Sequence, residues 1–182
     1  MCSSDLLALS DKPEAGKAWD ELKQSATNAL PYLLTRLNSP DVSVRAKVEE
    51  LIDLLGTNSI PLLITGIDTA RNDDQARLCA YFLARFETAT NAIPHILPLL
   101  RREKTQGTAL YTLGHLHARE AFQPAIRLLS DPREIVRMRA AQALGRIGDR
   151  RAIPRLVPLL DDPIWTVRFA ARDAIAALKK EP

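Results

Sequence analysis

AFQPAIRLLSDPREIVRMRAAQALGRIGDRRA (residues 121–152) runs directly into IPRLVPLLDDPIWTVRFAARDAIAAL (residues 153–178), and the two stretches are one phrase written twice. Each copy opens on a proline among apolar residues, breaks at an Asp-Pro, and resumes with a second apolar stripe. In the later copy Ile153, Leu156, Val157 and Leu160 recur at helical spacing. Pro154 falls in the first turn, where its missing N–H costs nothing, and Pro158 is expected to bend the helix. Asp162-Pro163 then breaks the chain, with Asp162 expected to cap the next helix and Pro163 to hold its first position. That second helix, from about Pro163 to Leu178, places Val167, Ala171, Ala174, Ile175 and Leu178 on one side. The earlier copy has the same grammar: Asp131-Pro132 as the expected cap, then a buried stripe of Val136, Ala140, Leu144 and Ile147, then Gly148 as the stop.

Working outward, the prolines that mark the period are Pro31, Pro61, Pro94, Pro124 and Pro154, spaced 30, 33, 30 and 30 residues. A period in this range signals stacked structural repeats. Residues 29–56 repeat the phrase with Ser39-Pro40 as the expected cap and Val44, Val48, Ile52 and Leu55 as the stripe. Residues 66–87 have a longer turn without proline and residues 99–118 a shorter, basic one, and both keep the two-helix outline. DLLALSDKPEAGKAW (residues 5–19) echoes AIRLLSDPREIVRMR (residues 125–139), with Asp11 matching Asp131 and Lys17 matching Arg137. The sequence thus opens partway through a repeat, as a short capping helix or, the favoured reading, as a piece of a longer array.

One helical pair cannot bury its stripe alone, whereas stacked pairs share a continuous core. The expected fold is all-α: a right-handed α-α superhelix, or solenoid, of about five hairpins plus a partial N-terminal one. Residues 1–182 form a single domain, with repeats at 1–28 (partial), 29–58, 59–90, 91–121, 122–152 and 153–182.

Composition narrows the class. Apolar residues make up 46% and aromatic ones only 5%, which suits close helix packing, while charged residues at 26% and the lack of a long apolar run exclude a membrane span. Net charge is +3, but residues 122–182 carry 12 Lys/Arg against 7 Asp/Glu, and residues 1–121 carry 13 against 15. The basic end could meet an acidic protein or a phosphate backbone, and it could equally be arginine on solvated helix faces paired with nearby Asp. Cys2 and Cys79 lack any metal-ligand or disulfide spacing, and Cys79 sits in an apolar helical stretch as a small hydrophobe. These features point to the cytoplasm, with a lipoprotein anchored through Cys2 as the alternative.

The phrase Asp-Pro, Val-Arg, Ala-Ala-x-Ala-Leu-Gly-x-Ile-Gly-Asp, carried by Asp131, Pro132, Val136, Arg137, Ala140, Ala141, Ala143, Leu144, Gly145, Ile147, Gly148 and Asp149, resembles that of HEAT repeats. The variety is the PBS-lyase-type, named for phycobilisome bilin lyases, within the armadillo-like helical class. It recurs in part at Asp162, Pro163, Val167, Arg168, Ala170, Ala171 and Ala174. The resemblance implies a ladder between neighbouring repeats, in which Asp131, Arg137, Asp162 and Arg168 are structural. Arg45 and Arg77 would join it, and it would weaken at Gln106 and Ser39, where the pattern is lost.

In such a stack the second helices line the concave surface. On a helical wheel Trp165, Phe169, Arg172 and Ala176 lie opposite the buried stripe, and the matching positions one repeat earlier are Glu134, Met138 and Ala141, flanked by Arg139 and Gln142. In the preceding repeat they are Thr108, Tyr111 and His115. The candidate partner-binding groove is therefore Tyr111, His115, Met138, Arg139, Gln142, Trp165 and Phe169, since aromatics beside arginine are common interface anchors. The competing reading is that Trp165 and Phe169 are covered by a following repeat or by the C-terminal tail.

No catalytic constellation is assigned. His95, His115 and His117 are the only histidines, and His115 and His117, two apart on a helix, splay too widely to share a metal. The His-Glu dipeptides of HEAT-like iron hydroxylases are missing, as are a GxSxG elbow, a P-loop and a GxGxxG. Trp165 with Arg139 and Asp173 is only faintly similar to the basic, aromatic groove of HEAT-like DNA glycosylases. The expected function is a non-catalytic scaffold for a protein or peptide, monomeric or part of a longer array, with no metal and no cofactor. The alternatives are a bilin lyase, lyase subunit or phycobilisome-associated chaperone, from the resemblance, and nucleic-acid binding through the arginine-rich half.

Overall fold

The computed structural model describes the backbone of residues 13–34 and 42–180 and the side chains of residues 20–34 and 46–180. Its helices are α1 (Pro13–Leu34), α2 (Val42–Leu55), α3 (Ile60–Asp68), α4 (Asp73–Leu83), α5 (Ile93–Ile96), α6 (Gln106–His115), α7 (Phe122–Leu128), α8 (Glu134–Ile147), α9 (Ile153–Leu156) and α10 (Trp165–Lys180). Short 3-10 turns lead into α3, α5, α7 and α9, and no strand occurs among the described residues. The second helices stack in succession, α4 on α6, α6 on α8 and α8 on α10, while α1 meets α3 and α3 meets α5 among the first helices. This is an all-α repeat solenoid.

The marker prolines act where the sequence places them: Pro61, Pro94 and Pro154 each sit in the first turn of a helix. Pro31 differs, lying inside α1, which runs unbroken across the boundary that the period puts between residues 28 and 29. Pro158 does not bend an α-helix. The α winding stops at Leu156 and tightens into a 3-10 turn over Val157–Asp161, and Pro98 does the same within Leu97–Arg101. A 3-10 turn advances 120° per residue, so the face changes: Leu159 goes into the core and Leu160 and Val157, expected inside, are exposed.

The turn aspartates do not cap the second helices. Helix α8 starts two residues beyond Pro132, with Arg133 at its N-cap making no side-chain cap bond. Asp131 Oδ1 instead accepts the Arg133 N–H at 2.9 Å, and Asp162 Oδ1 accepts the Ile164 N–H at 2.9 Å. Each is an Asx-turn that bends the chain at Asp-Pro. Asn72 does cap, accepting the Gln75 N–H in front of α4. The Ser39-Pro40 cap, Asp11 and Cys2 lie outside the described residues, and nothing is described of the side chains of Lys17 and Val44.

The stripes Val136, Ala140, Leu144, Ile147 and Val167, Ala171, Ala174, Ile175, Leu178 are buried, within one apolar cluster that extends from Ala26 to Leu178. Helix α8 ends at Gly148 with φ 80°, and the same left-handed stop closes α6 at His117, with φ 50°. There Ala118 N–H bonds to Leu113 O and His117 N–H to Gly114 O, a Schellman closure on a non-glycine residue. His117 therefore lies beyond α6, not on it.

The run Ala46–Asp68 is long and apolar enough, by length and composition, to cross a membrane, contrary to the expectation from the sequence. Helices α2 and α3 are joined there by the 3-10 turn Gly56–Ser59, and the run's apolar residues Val48, Leu51, Ile52, Leu55, Ile60, Leu63 and Ile67 belong to the core. Cys79 is fully buried beside Gly66, and burial pushes its thiol up to about 12. In the native protein the Cys79 peptide is expected to stay free of iodoacetamide at neutral pH, and to be alkylated fully in denaturant, as read by mass spectrometry. Rapid native labelling would show that α4 opens locally.

Candidate partner-binding groove

Four of the seven candidate residues converge, around Tyr111. Its ring stacks on Tyr81 of α4 with centroids 5.8 Å apart and planes 20° from parallel, and it meets the His115 ring at 4.4 Å. From α8 the guanidinium carbons of Arg139 and Arg146 lie over the Tyr111 ring at 4.8 and 5.7 Å. Arg139 also donates to Gln142 Oε1 at 3.2 Å. Beside them a shallow groove of about 260 Å³ is lined by Tyr81, Tyr111 and Ile135 and by the charged Glu103, Lys104, Arg133 and Arg139. His115 Nε2 is buried and has no hydrogen-bond partner among the described residues. Burial, then the nearby Arg146, His117 and Arg139 charges, hold the His115 imidazole below its ordinary value, with Glu87 acting weakly the other way.

Met138, Trp165 and Phe169 do not join this cluster. A shift of 31 residues maps α10 onto α8, carrying Trp165, Phe169, Arg172 and Ala176 onto Glu134, Met138, Ala141 and Gly145. Ala141 is fully buried and Met138 packs against the core. A Cβ built on Gly145 would lie 2.9 Å from both Cα and Cβ of Ala174 on α10. On α8 this stripe therefore faces the next second helix. Trp165 and Phe169, 67% and 60% exposed, occupy the corresponding face of α10 and make no ring contact among the described residues. The side that carries Tyr111 lies about 100° round, since Arg146 follows Gly145 by one residue.

The sequence reading missed Tyr81, Lys104, Ile135 and Arg146, although the signal was present. The match of Leu113-Gly114 to Leu144-Gly145 fixes the same 31-residue shift, which takes Lys104, Thr108, Tyr111 and His115 to Ile135, Arg139, Gln142 and Arg146. Tyr111 belongs with that set, not with Met138.

The inter-repeat ladder holds the second helices in register. Arg137 Nε and Nη2 donate to the two carboxylate oxygens of Asp162 at 2.8 and 3.0 Å, and its Nη1 donates to the carbonyls of Asp131 and Pro132. Arg168 repeats the second half of this pattern, donating to the carbonyls of Asp162 and Pro163. The rung is remade where Gln106 replaces arginine: Asp131 is gripped by the neighbouring Arg133, which also donates to Gln106 Oε1 and to Glu103 O. The Arg133 guanidinium holds the Asp131 carboxyl below the usual carboxylate range. Arg77 does not join the ladder and pairs with Asp74 on its own helix. The following turn offers Arg102 in place of an aspartate, and Arg102 pairs with Asp73, so the charges of that rung are reversed. The Arg45 side chain lies outside the described residues. Across the other faces, Arg85 bonds to Asp53 and His95 to Asp68.

No group of three or more potential metal ligands occurs among the described residues.

Residues 93–176 match the model of a family described as HEAT repeats. No curated protein matches the chain. Among solved structures, it is similar to an engineered protein from a structural genomics consortium over 100% of both chains, at 19% identity and TM-score 0.61. A second engineered protein from that consortium matches 96% of this chain and 87% of its own, at 19% identity and TM-score 0.60. A designed armadillo repeat protein in complex with the peptide (KR)4 matches 96% and 98%, at 18% identity and TM-score 0.59. These likenesses establish a HEAT- or armadillo-like solenoid.

Proposed function

We propose that the chain is a non-catalytic scaffold that binds a protein or peptide on its concave side, in a single domain built of the repeats set out above. The observation that carries this is the convergence of Tyr81, Tyr111, His115, Arg139 and Arg146 from three successive second helices. Partly exposed aromatics held between arginines are the composition of interface anchors. The designed armadillo protein of similar fold with a bound peptide supports the same reading. The bilin-lyase reading, the PBS-lyase-type variety and a cytoplasmic location rest on sequence alone.

A random octapeptide library displayed on phage tests this with the intact chain as bait. Tyr111→Ala with Arg139→Ala is expected to weaken the selected peptides at least about thirty-fold, the size of a single hot-spot loss. Circular dichroism should stay unchanged. The companion variant, Trp165→Ala with Phe169→Ala, should leave capture intact. The reverse pattern would move the site to the outer face of α10.

A further inference from the structure

We propose that the Tyr111 groove selects an extended acidic peptide segment, a reading that rests on the scaffold function above and names its partner class. The charges around the groove fall into two groups. Arg133 is held by Asp131 and Glu103, Arg85 by Asp53, and Arg77 by Asp74. Lys104, Arg139 and Arg146 have no carboxylate partner among the described residues. Arg139 is turned to Gln142 and Tyr111, and Arg146 to Tyr111 alone. Two guanidinium groups are thereby preorganised on an aromatic face, at little further cost in side-chain entropy when an anion arrives.

The one carboxylate in the groove lining is Glu103, and Arg133 engages it at 3.4 Å. Lys104, Arg133 and Arg139 against Glu103 leave the lining with a formal excess of positive charge.

Spacing fits a peptide. Arg139 and Arg146 are seven residues apart on α8, about 10 Å along the helix axis. Carboxylates two and four residues apart share one face of an extended strand at roughly 7 and 13 Å, spacings that bracket this. Tyr81 and Ile135, 47% and 49% exposed, offer apolar surface for a flanking side chain of the peptide. That apolar component favours a peptide over a phosphate backbone, because a nucleic-acid track needs a longer run of cations than Lys104, Arg139 and Arg146 supply.

Fluorescence anisotropy on the full chain tests the proposal, with four labelled probes: an alternating Asp-Glu octapeptide carrying a central Tyr, its Lys-Arg counterpart, a Gly-Ser counterpart, and a 20-base-pair DNA duplex. The acidic octapeptide is expected to bind, and the Lys-Arg and Gly-Ser ones at least about tenfold more weakly. Arg139→Glu with Arg146→Glu should cost the acidic probe about a hundredfold, and Arg139→Gln with Arg146→Gln about tenfold, with thermal midpoints near wild type. Failure of the acidic peptide alongside Tyr111-dependent binding of the neutral or basic one would overturn the acidic preference and leave the scaffold reading standing. No Tyr111-dependent binding of any peptide would remove both. Tighter binding of the duplex than of the acidic peptide would overturn the proposal in favour of nucleic acid.

Discussion

Gly145→Leu is expected to destabilise the protein by about 3 kcal/mol, the upper part of the usual overpacking range. The backbones of α8 and α10 meet at this position: a Cβ on Gly145 would sit 2.9 Å from Ala174 Cα and 2.9 Å from its Cβ. Backbone cannot rotate away as a side-chain tip can, so α10 must shift outward and every contact along that helix pair loosens. Gly145→Ala is the informative control. It gains up to about 1 kcal/mol of helix propensity, and the collision with Ala174 should more than cancel this. Gly107, whose added Cβ would meet nothing within 4 Å, should show the propensity gain alone when changed to Ala. Denaturant titration of the three variants against wild type measures the effect, and a Gly145→Leu protein as stable as wild type would mean that α8 and α10 are not in backbone contact. Gly114 repeats the geometry one repeat earlier, 2.9 Å from Ala143 Cα. It is a poorer test because Arg146 of the groove is among its neighbours.

This contact also explains what the sequence did and did not reveal. Two phrases in register, with Asp-Pro breaks and an Ala-rich second helix, are enough to specify stacked hairpins, because the period, the helix spacing and the breakers all agree. The groove needed one more piece of information, which of two exposed stripes faces solvent and which faces the next repeat. Trp165 and Phe169 look like anchors on a wheel of α10 alone. Their counterparts one repeat earlier, Ala141 and Gly145, are small and packed against the next helix, so on α8 the same stripe is the one that stacks. The small residues of α8 carry the stacking signal, and the large aromatic ones of α10 do not repeat it. The Arg133 rung was hidden for a different reason: a phrase comparison registers the loss of arginine at Gln106, and not the arrival of one two residues after Asp131. The 3-10 turns at Pro98 and Pro158 were hidden because helix-spaced residues such as Ile153 and Leu156 are compatible with either winding for one turn.

Arg137→Ala is expected to cost about 2–3 kcal/mol at neutral pH, through the ion pair it leaves behind rather than through lost packing. The two side chains are 14% and 8% exposed, so removing the guanidinium strands the Asp162 carboxylate at a nearly buried position. It also releases the carbonyls of Asp131 and Pro132 that Arg137 satisfies. The proximity to solvent keeps the figure below that of a fully enclosed pair. A cycle with Asp162→Asn separates the parts: the double variant should be more stable than the sum of the single losses implies, because an amide without the arginine no longer strands a charge. The pH dependence has a definite sign. Arg137 above all, with the Ile164 N–H and the Arg168 charge, holds the Asp162 carboxyl below the usual carboxylate range against the opposing effect of burial. Its unfolded value is about 3.9, so the pair's stabilisation is complete above that pH and is lost as pH falls through the lower folded value. The gap between wild type and Arg137→Ala should therefore be constant from pH 8 to pH 5 and shrink below about pH 4. Unfolding free energies at pH 7 and pH 3 are the measurement. A gap that is as large at pH 3 as at pH 7 would mean that Arg137 stabilises the stack through its carbonyl contacts, with Asp162 as a bystander.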